Sequence, residues 1–153
     1  MGSGRAACSQ FRHEPKLRRY TLDLRSGLCE ERELSSHGGE PGRIDARFEG
    51  KKHRYVYCIG SEPHAPGNQF SSILRIDTET AETRSHDFHP ELPGEPVFVP
   101  RRGSEQEGDG YLLVLVARAL VILDATTLEQ VCTVPLSHRV PPGFHGNFIP
   151  ESL

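Results

Sequence analysis

A histidine near the C-terminus has the surroundings of a metal ligand. His145 lies between Phe144 and Gly146, directly after the turn formed by residues 141–143, Pro-Pro-Gly. The prolines fix the backbone, and Gly146 allows it to approach another group closely. The flanking aromatic residues predict a dry, apolar place, in which a neutral imidazole binds iron or another transition metal well. A core histidine with a backbone hydrogen-bond partner is the alternative that the residues leave open.

Glu40 is the second candidate functional residue. It follows the segment Ser-Ser-His-Gly-Gly at 35–39 and precedes Pro-Gly-Arg-Ile-Asp at 41–45. A glutamate at the start of a strand can accept the N–H of a ligand histidine and thereby fix the tautomer of its ring. A solvated turn carboxylate is the alternative.

The other histidines do not form a ligand cluster in sequence. His86 and His89 are three residues apart, but Pro90 follows them and indicates a loop rather than a helix that would place both rings on one face. We expect the remaining histidines to be exposed or structural: His13, His37, His53, His64 and His138.

Motifs and charge exclude several classes of function. The sequence contains no GxSxG nucleophile motif, no GxGxxG after a predicted strand and no Walker A motif. The net charge is −3 and the pI is near 6.2, whereas nucleic-acid binding needs a basic face. No apolar stretch approaches the ~20 residues of a membrane span. We therefore expect neither a nucleic-acid partner nor a membrane-spanning segment. Contact with a membrane surface is left open by the sequence, although no apolar patch for it is evident.

The cysteines and the N-terminus indicate a reducing compartment. The four cysteines are not arranged as CxxC pairs or at zinc-ligand spacing: Cys8, Cys29, Cys58 and Cys132. The N-terminus lacks the apolar core of a signal peptide. We therefore expect free thiols and a cytoplasmic location. Residues 1–15 are small and polar without periodicity, and we interpret them as a disordered leader.

The elements that must position these side chains are predicted to be strands. Hydrophobic residues make up 35% of the chain, and Gly and Pro are frequent, with 15 and 12 copies, so the core is thin and turns are many. Alternating or apolar runs predict strands, and no helix is convincing. The continuous apolar runs at 111–116 and 120–123 are typical of strands buried on both faces. The predicted strands cover residues 19–24, 53–59, 72–77, 96–100, 111–116, 120–123 and 131–136.

A repeat organises these strands. An apolar strand, an aspartate, a turn and a second, shorter strand recur at Asp23, Asp77 and Asp124. The short aspartate side chain can cap backbone N–H groups of the turn. A spacing of about 50 residues is that of propeller blades, which bury their faces by stacking around an axis. The sequence thus predicts about three blades of a β-propeller, with a β-sandwich as the alternative.

Several segments resemble the carotenoid cleavage oxygenases in the order in which that family has them. One is Gly-Glu-Pro-Val-Phe-Val-Pro-Arg at 94–101, and a second is Asp-Gly-Tyr-Leu-Leu-Val-Leu-Val at 109–116. Two more are Leu-Val-Ile-Leu-Asp-Ala at 120–125 and the closing Arg-Val-Pro-Pro-Gly-Phe-His-Gly-Asn-Phe at 139–148. The resemblance covers about residues 16–150.

The resemblance implies a seven-bladed propeller with Fe²⁺ on its axis, held by four histidines and oriented by glutamates. It implies that His145 is the last of these ligands and that Glu40 is one of the orienting glutamates. The implied reaction is that of a dioxygenase, which cleaves a C=C bond of a carotenoid, apocarotenoid or stilbene with O₂ in an apolar tunnel.

The departures from the family pattern set a further expectation. The family's other three ligand histidines lie upstream of everything here, and Glu40 lacks the phenylalanine that normally follows it. Only residues 117–119 connect two strands between which the family has a longer loop. We therefore expect residues 16–153 to be the C-terminal part of the propeller domain. We expect the isolated chain to be inactive without the missing N-terminal blades. A non-catalytic propeller fragment or interaction module is the alternative.

Overall fold

Strands dominate the computed structural model, which describes residues 15–60, 70–141 and 143–150. Within these ranges the chain is all-β, as the sequence predicts, with a three-residue 3-10 turn at Ala46–Phe48 and no α-helix. The leader predicted for residues 1–15 lies outside the described residues except for Pro15. The strands are β1 Lys16–Leu22, β2 Cys29–Arg43, β3 Tyr55–Gly60, β4 Ser72–Asp77, β5 Thr83–Asp87, β6 Val97–Pro100, β7 Gly110–Val116, β8 Ala119–Asp124 and β9 Gln130–Pro135.

The strands form two antiparallel sheets, in the orders β1-β2-β3-β4-β5 and β6-β7-β8-β9. Strand β2 is 15 residues long and serves two neighbours. Its first part pairs with β1, where Cys29 lies opposite Leu22, and its last part pairs with β3, where Glu40 lies opposite Ile59. The described chain therefore comprises the β1–β2 hairpin followed by two four-stranded units, which together correspond to the roughly three repeats that the sequence predicts.

The repeated aspartates lie at the same place in each unit, in the turn between its last two strands. Each side chain accepts a hydrogen bond from the backbone N–H two residues further on, over 2.9 Å for Asp23, 3.0 Å for Asp77 and 2.9 Å for Asp124. The capping role predicted for these aspartates is thus confirmed. The turns also share a residue with positive φ four positions after the aspartate: Gly27, Ala81 and Leu128.

Strand β2 is longer and more polar than the sequence analysis expected. The repeat predicts a shorter second strand after Asp23, whereas β2 is longer than any other strand among the described residues. Its first five residues are exposed and mostly charged. Lys16 and Glu33 form an ion pair of 2.9 Å across the hairpin, and Arg18 and Glu31 form a second ion pair. A strand that lacks an apolar face gives no periodic signal, because alternation of apolar residues is what reveals a strand in sequence.

The apolar strands β7 and β8 are buried on one face only, which corrects the expectation of burial on both faces. In β7, Leu112 and Val114 are fully buried, whereas Leu115 is 42% exposed. Leu113 and Leu115 border a cavity beside the C-terminal segment. The outward leucines of these strands, Leu113, Leu115 and Leu120, line this cavity and are not covered by a second layer of the described chain.

The two sheets pack face to face. Tyr57 and Ile73 of the first sheet meet Leu112 and Leu123 of the second in the main core. On the other face of β4, Leu74 and its neighbours contact the β1–β2 hairpin in a smaller cluster. Strand β4 is therefore buried along its whole length. Within the described ranges, no helix is long and apolar enough to span a membrane.

Replacing Asp77 with asparagine is expected to destabilise the fold and to remove part of its acid sensitivity. Arg54 donates to both Asp77 carboxylate oxygens, and the backbone N–H groups of Glu79 and Thr80 add to this. The Arg54 hydrogen bond and these amides hold the pKa of Asp77 far below its usual range. The Asp77→Asn variant should lose about 2 kcal/mol of unfolding free energy at neutral pH, measured by urea denaturation.

The contribution of Asp77 depends on pH in a defined direction. Because its pKa is lower in the folded state, the stabilisation is complete above the unfolded pKa of about 3.9 and is lost as pH falls through the folded value. Asp23→Asn is the matched control, since Asp23 occupies the same turn position with Ser26 instead of an arginine as its side-chain partner. Equal losses in the two variants would contradict this account.

The described cysteines are expected to differ sharply in reactivity. Cys58 is fully buried and burial raises the pKa of its thiol to about 12, whereas Cys29 and Cys132 are exposed. A thiolate is the reactive form, so a buried thiol with a raised pKa is inert. Alkylation of the native chain followed by peptide mass spectrometry should label Cys29 and Cys132, and Cys58 only after unfolding. Labelling of native Cys58 at the rate of Cys132 would refute the packing described here.

Candidate metal centre

The segment after β9 carries His145 back towards the start of the second sheet. The backbone N–H of Leu136 donates to Arg118 O over 2.8 Å, and that of Val140 donates to Ala117 O over 3.0 Å. These bonds tie the segment to the short β7–β8 turn. A Cβ at Gly146 would lie 3.3 Å from Val97 Cγ2, so the glycine permits a close approach to β6. His145 is thus held beside β6 by contacts on both sides along the chain.

Glu95, immediately before β6, is the hydrogen-bond partner of His145. Its side chain is 3% exposed, and its oxygens accept from His145 Nδ1 at 3.2 Å and from the Gly146 backbone N–H at 3.0 Å. A carboxylate accepts hydrogen bonds but does not donate them, so Nδ1 carries the hydrogen. In the neutral ring, the lone pair on Nε2 is then free. This is the arrangement found in metal-binding histidines, whose second ring nitrogen donates to a carboxylate or carbonyl.

Arg43, at the end of β2, binds the same segment from the first sheet. Its Nη2 donates to Gly146 O and to Asn147 Oδ1, each over 3.0 Å. Its Nε lies 3.6 Å from Glu95 Oε1. Arg43 therefore joins the first sheet to the buried carboxylate and to the two residues after His145.

The expectation of a dry, apolar place for His145 is wrong for the described chain. The imidazole is 68% exposed, and Phe144 and Phe148 are 89% and 45% exposed. The ring is fixed through Nδ1 by Glu95, while the rest of the ring faces solvent. The flanking aromatic residues do not enclose the imidazole, because within the described residues they pack on little else.

An apolar cavity of about 600 Å³ adjoins His145. It lies between the second sheet and the C-terminal segment, and it is open on one side. Its lining includes the outward residues of β7 and β8 together with the segment that carries the histidine: Leu113, Leu115, Leu120, Val140, Phe144 and His145. A cavity with mostly apolar walls and few polar groups is the usual form of a small-molecule site.

The other candidate residues lie elsewhere. Glu40 is exposed on β2, and its role in orienting a histidine stays a prediction. His86 Nδ1 lies 2.9 Å from Leu128 O, and His89 is exposed. In the portion of the chain that the structure describes, no three His, Cys, Asp or Glu side chains converge as a metal site would require. His145 would thus be a single ligand whose companions lie outside these residues.

Sequence reasoning missed Glu95 and Arg43. The segment at 94–101 contains Glu95, and a glutamate between Gly94 and Pro96 just before an apolar strand is a signal that points to it. A buried glutamate nearly always has a partner. Arg43 gave no local signal, because its contacts are with Glu95 and, more than 100 residues away in sequence, with residues 146–147.

Comparisons with known proteins place the chain among the carotenoid oxygenases. The family model described as retinal pigment epithelial membrane protein matches residues 2–150. The apocarotenoid-15,15'-oxygenase of Synechocystis sp. is 35% identical over 143 residues, which cover 87% of this chain and 29% of that protein. The lignostilbene-alpha,beta-dioxygenase isozyme III of Sphingomonas paucimobilis is 33% identical over 159 residues, covering 90% of this chain and 32% of that protein.

A solved structure matches in three dimensions as well. The crystal structure of cobalt-substituted Synechocystis ACO superposes with a TM-score of 0.79 at 31% identity, covering 86% of this chain and 29% of that one. The chain therefore spans roughly a third of the length of these relatives.

Proposed function

Because the chain belongs to the carotenoid oxygenase family, we propose that it forms the C-terminal part of a non-haem Fe²⁺ dioxygenase that cleaves a C=C bond with O₂. The substrate class is a carotenoid, apocarotenoid or stilbene. The observation that carries the proposal is the bond from His145 Nδ1 to the buried carboxylate of Glu95, since it leaves Nε2 free to bind a metal.

The residues of this chain fit one corner of an iron site. A neutral imidazole suits Fe²⁺, and the carboxylate behind it both fixes the tautomer and strengthens the ligand. Bound Fe²⁺ would supply the reaction with O₂. His145 and Glu95 would hold their part of the site in place, and the other histidine ligands would come from the upstream blades. Glu40 would orient one of those histidines. The isolated chain would then be inactive.

The cavity beside His145 supports an apolar substrate. Leu113, Leu115 and Leu120 form apolar walls in this cavity. A polyene or stilbene that binds against such walls removes apolar surface from water, which is favourable. Its volume, about 600 Å³, lies in the range of ligand pockets. We propose that this cavity forms one wall of the substrate tunnel and that the upstream blades form the rest.

Complementation tests the proposal. The chain is co-expressed with the upstream part of the Synechocystis apocarotenoid-15,15'-oxygenase that it does not match, and cleavage of an apocarotenoid is followed by loss of polyene absorbance and by product chromatography. Cleavage that needs both parts is the expected result. A complex that forms and contains iron but cleaves neither an apocarotenoid nor a stilbene would contradict the proposal.

A non-catalytic interaction module is the second candidate, and one observation favours it. The β1–β2 hairpin carries apolar residues that are all more than half exposed: Tyr20, Leu22, Leu24 and Leu28. Such a patch is typical of a surface that binds another protein. The complementation experiment separates the two candidates, since an interaction module would associate without restoring cleavage.

We also propose that the protein functions in the reducing cytoplasm. Cys29 and Cys132 are exposed free thiols, and free thiols are the usual state of cysteines in that compartment.

A further inference from the structure

Arg43 occupies a position that no other described cation shares, between the buried Glu95 and the two residues that follow His145. It leaves β2 at the end of its pairing with β3, where it lies opposite Tyr57. From there its guanidinium reaches Glu95 at 3.6 Å and the Gly146 and Asn147 oxygens at 3.0 Å. One network of interactions thus links four groups: the Arg43 guanidinium, the Glu95 carboxylate, the His145 imidazole and the Gly146 backbone.

The charge balance of this network depends on Arg43. Glu95 is 3% exposed, and an ionised carboxylate out of water is costly unless a cation or N–H donors compensate it. His145 Nδ1 and the Gly146 N–H supply two donors, and Arg43 supplies the positive charge. The guanidinium is suited to this role because its planar fork can address several oxygens at fixed angles.

The same side chain restrains the backbone next to His145. Gly146 is bonded on both sides, through its N–H to Glu95 and through its carbonyl to Arg43. A glycine has no side chain to restrict its rotation, so without these bonds the peptide could turn and the ring could swing away from Glu95. Arg43, which lies on the first sheet, restrains this rotation of the Gly146 peptide.

We propose that Arg43 is a positioning residue, which locks Glu95 and residues 146–147 so that His145 keeps hydrogen on Nδ1 and presents Nε2 to a metal. The inference rests on the proposed function. It gives the ligand His145 a second support, Arg43, which lies on the first sheet. Arg43 acts through Glu95 and Gly146 and does not touch the metal or the substrate.

The tautomer of His145 in the full chain is the readout. Free histidine prefers the tautomer with hydrogen on Nε2, so an Nδ1–H ring reports the Glu95 contact directly. The 153-residue chain is labelled with ¹⁵N-histidine, and the ring nitrogens are read by long-range ¹H–¹⁵N NMR at about two pH units above the ordinary histidine pKa, where an unperturbed imidazole is neutral. His145→Gln assigns the signals.

Four variants give the expected pattern. In the wild type His145 should be mainly the Nδ1–H tautomer, and Arg43→Met should shift it to an Nε2–H majority. Arg43→Lys, which keeps the charge but loses the fork, should lie between these two. Arg84→Met is the matched control, because Arg84 is an exposed arginine on β5 that pairs with Glu82. This substitution should leave the His145 tautomer unchanged. Glu95→Gln should abolish the Nδ1–H preference.

The outcomes that would overturn the inference are distinct from those that would overturn the function. If the His145 tautomer is unchanged in Arg43→Met but the Nδ1–H preference is lost in Glu95→Gln, Arg43 has no positioning role, while the contact between His145 and Glu95 stands. An unchanged tautomer in Glu95→Gln removes the contact on which the proposed function depends. If the backbone spectrum shows that Arg43→Met is unfolded, Arg43→Lys decides: a ring signal equal to the wild type rejects the positioning role.

Discussion

Replacing His145 with alanine is expected to abolish C=C cleavage by the complex of this chain with the upstream blades of a relative. The imidazole is the one group of this chain that combines a free Nε2 lone pair with a carboxylate behind Nδ1 within the residues described. A bound metal contributes several kcal/mol to a transition state, and each 1.4 kcal/mol is a factor of ten in rate. We therefore expect kcat/KM to fall on the order of 10³-fold or more, as measured by steady-state cleavage assays.

His138→Ala is the matched control for this substitution. His138 lies on the same C-terminal segment, is exposed, and contacts Ser137 Oγ rather than a buried carboxylate. It should retain wild-type activity. If His145→Ala kept its activity within a few fold, His145 would be a structural histidine, which was the alternative that the sequence left open.

The second large effect is expected at Glu95. Glutamine keeps the size of the side chain but removes its charge, and its amide can turn an NH₂ group towards His145 Nδ1. Loss of an outer partner of a metal-binding histidine typically weakens metal affinity 10–100-fold. We expect a weakening of that size for Fe²⁺ in the Glu95→Gln complex, as measured by competition with a chelator under anaerobic conditions.

Glu129→Gln serves as the control for Glu95, because Glu129 is exposed in the turn before β9 and has no contact with the histidine segment. Its complex should bind iron as the wild type does. Equal affinity in the Glu95 and Glu129 variants would mean that the 3.2 Å contact does not influence the ligand.

Much of the fold could be predicted because its signals are local. Asp77 and Asp124 accept hydrogen bonds from backbone N–H groups no more than three residues further along the chain. Turns held by such short-range bonds can be predicted from the local sequence. Strand β4 was predicted with its observed limits. The length of strand β2 was underestimated because its charged first part is exposed and carries cross-strand ion pairs, and such pairs leave no periodicity in one strand.

The candidate site was predictable only in part, for a related reason. His145 was found because prolines, glycines and aromatic residues surround it in sequence, and because those residues resemble a family ending. Glu95 and Arg43 are 50 and more than 100 residues from the segment they hold. Such contacts exist only once the two sheets pack, so residue types and spacing could not reveal them. Solvent exposure of the imidazole likewise depends on packing and was predicted wrongly.

The most direct test of the account is the iron content of the anaerobically purified complex between this chain and the upstream blades of a relative, with wild type beside His145→Ala. If His145 is an iron ligand, the wild-type complex should contain close to one iron, whereas the His145→Ala complex and the isolated chain should contain none. A His145→Ala complex that retains stoichiometric iron would contradict this account, since the metal would then be held without the histidine on which the account depends.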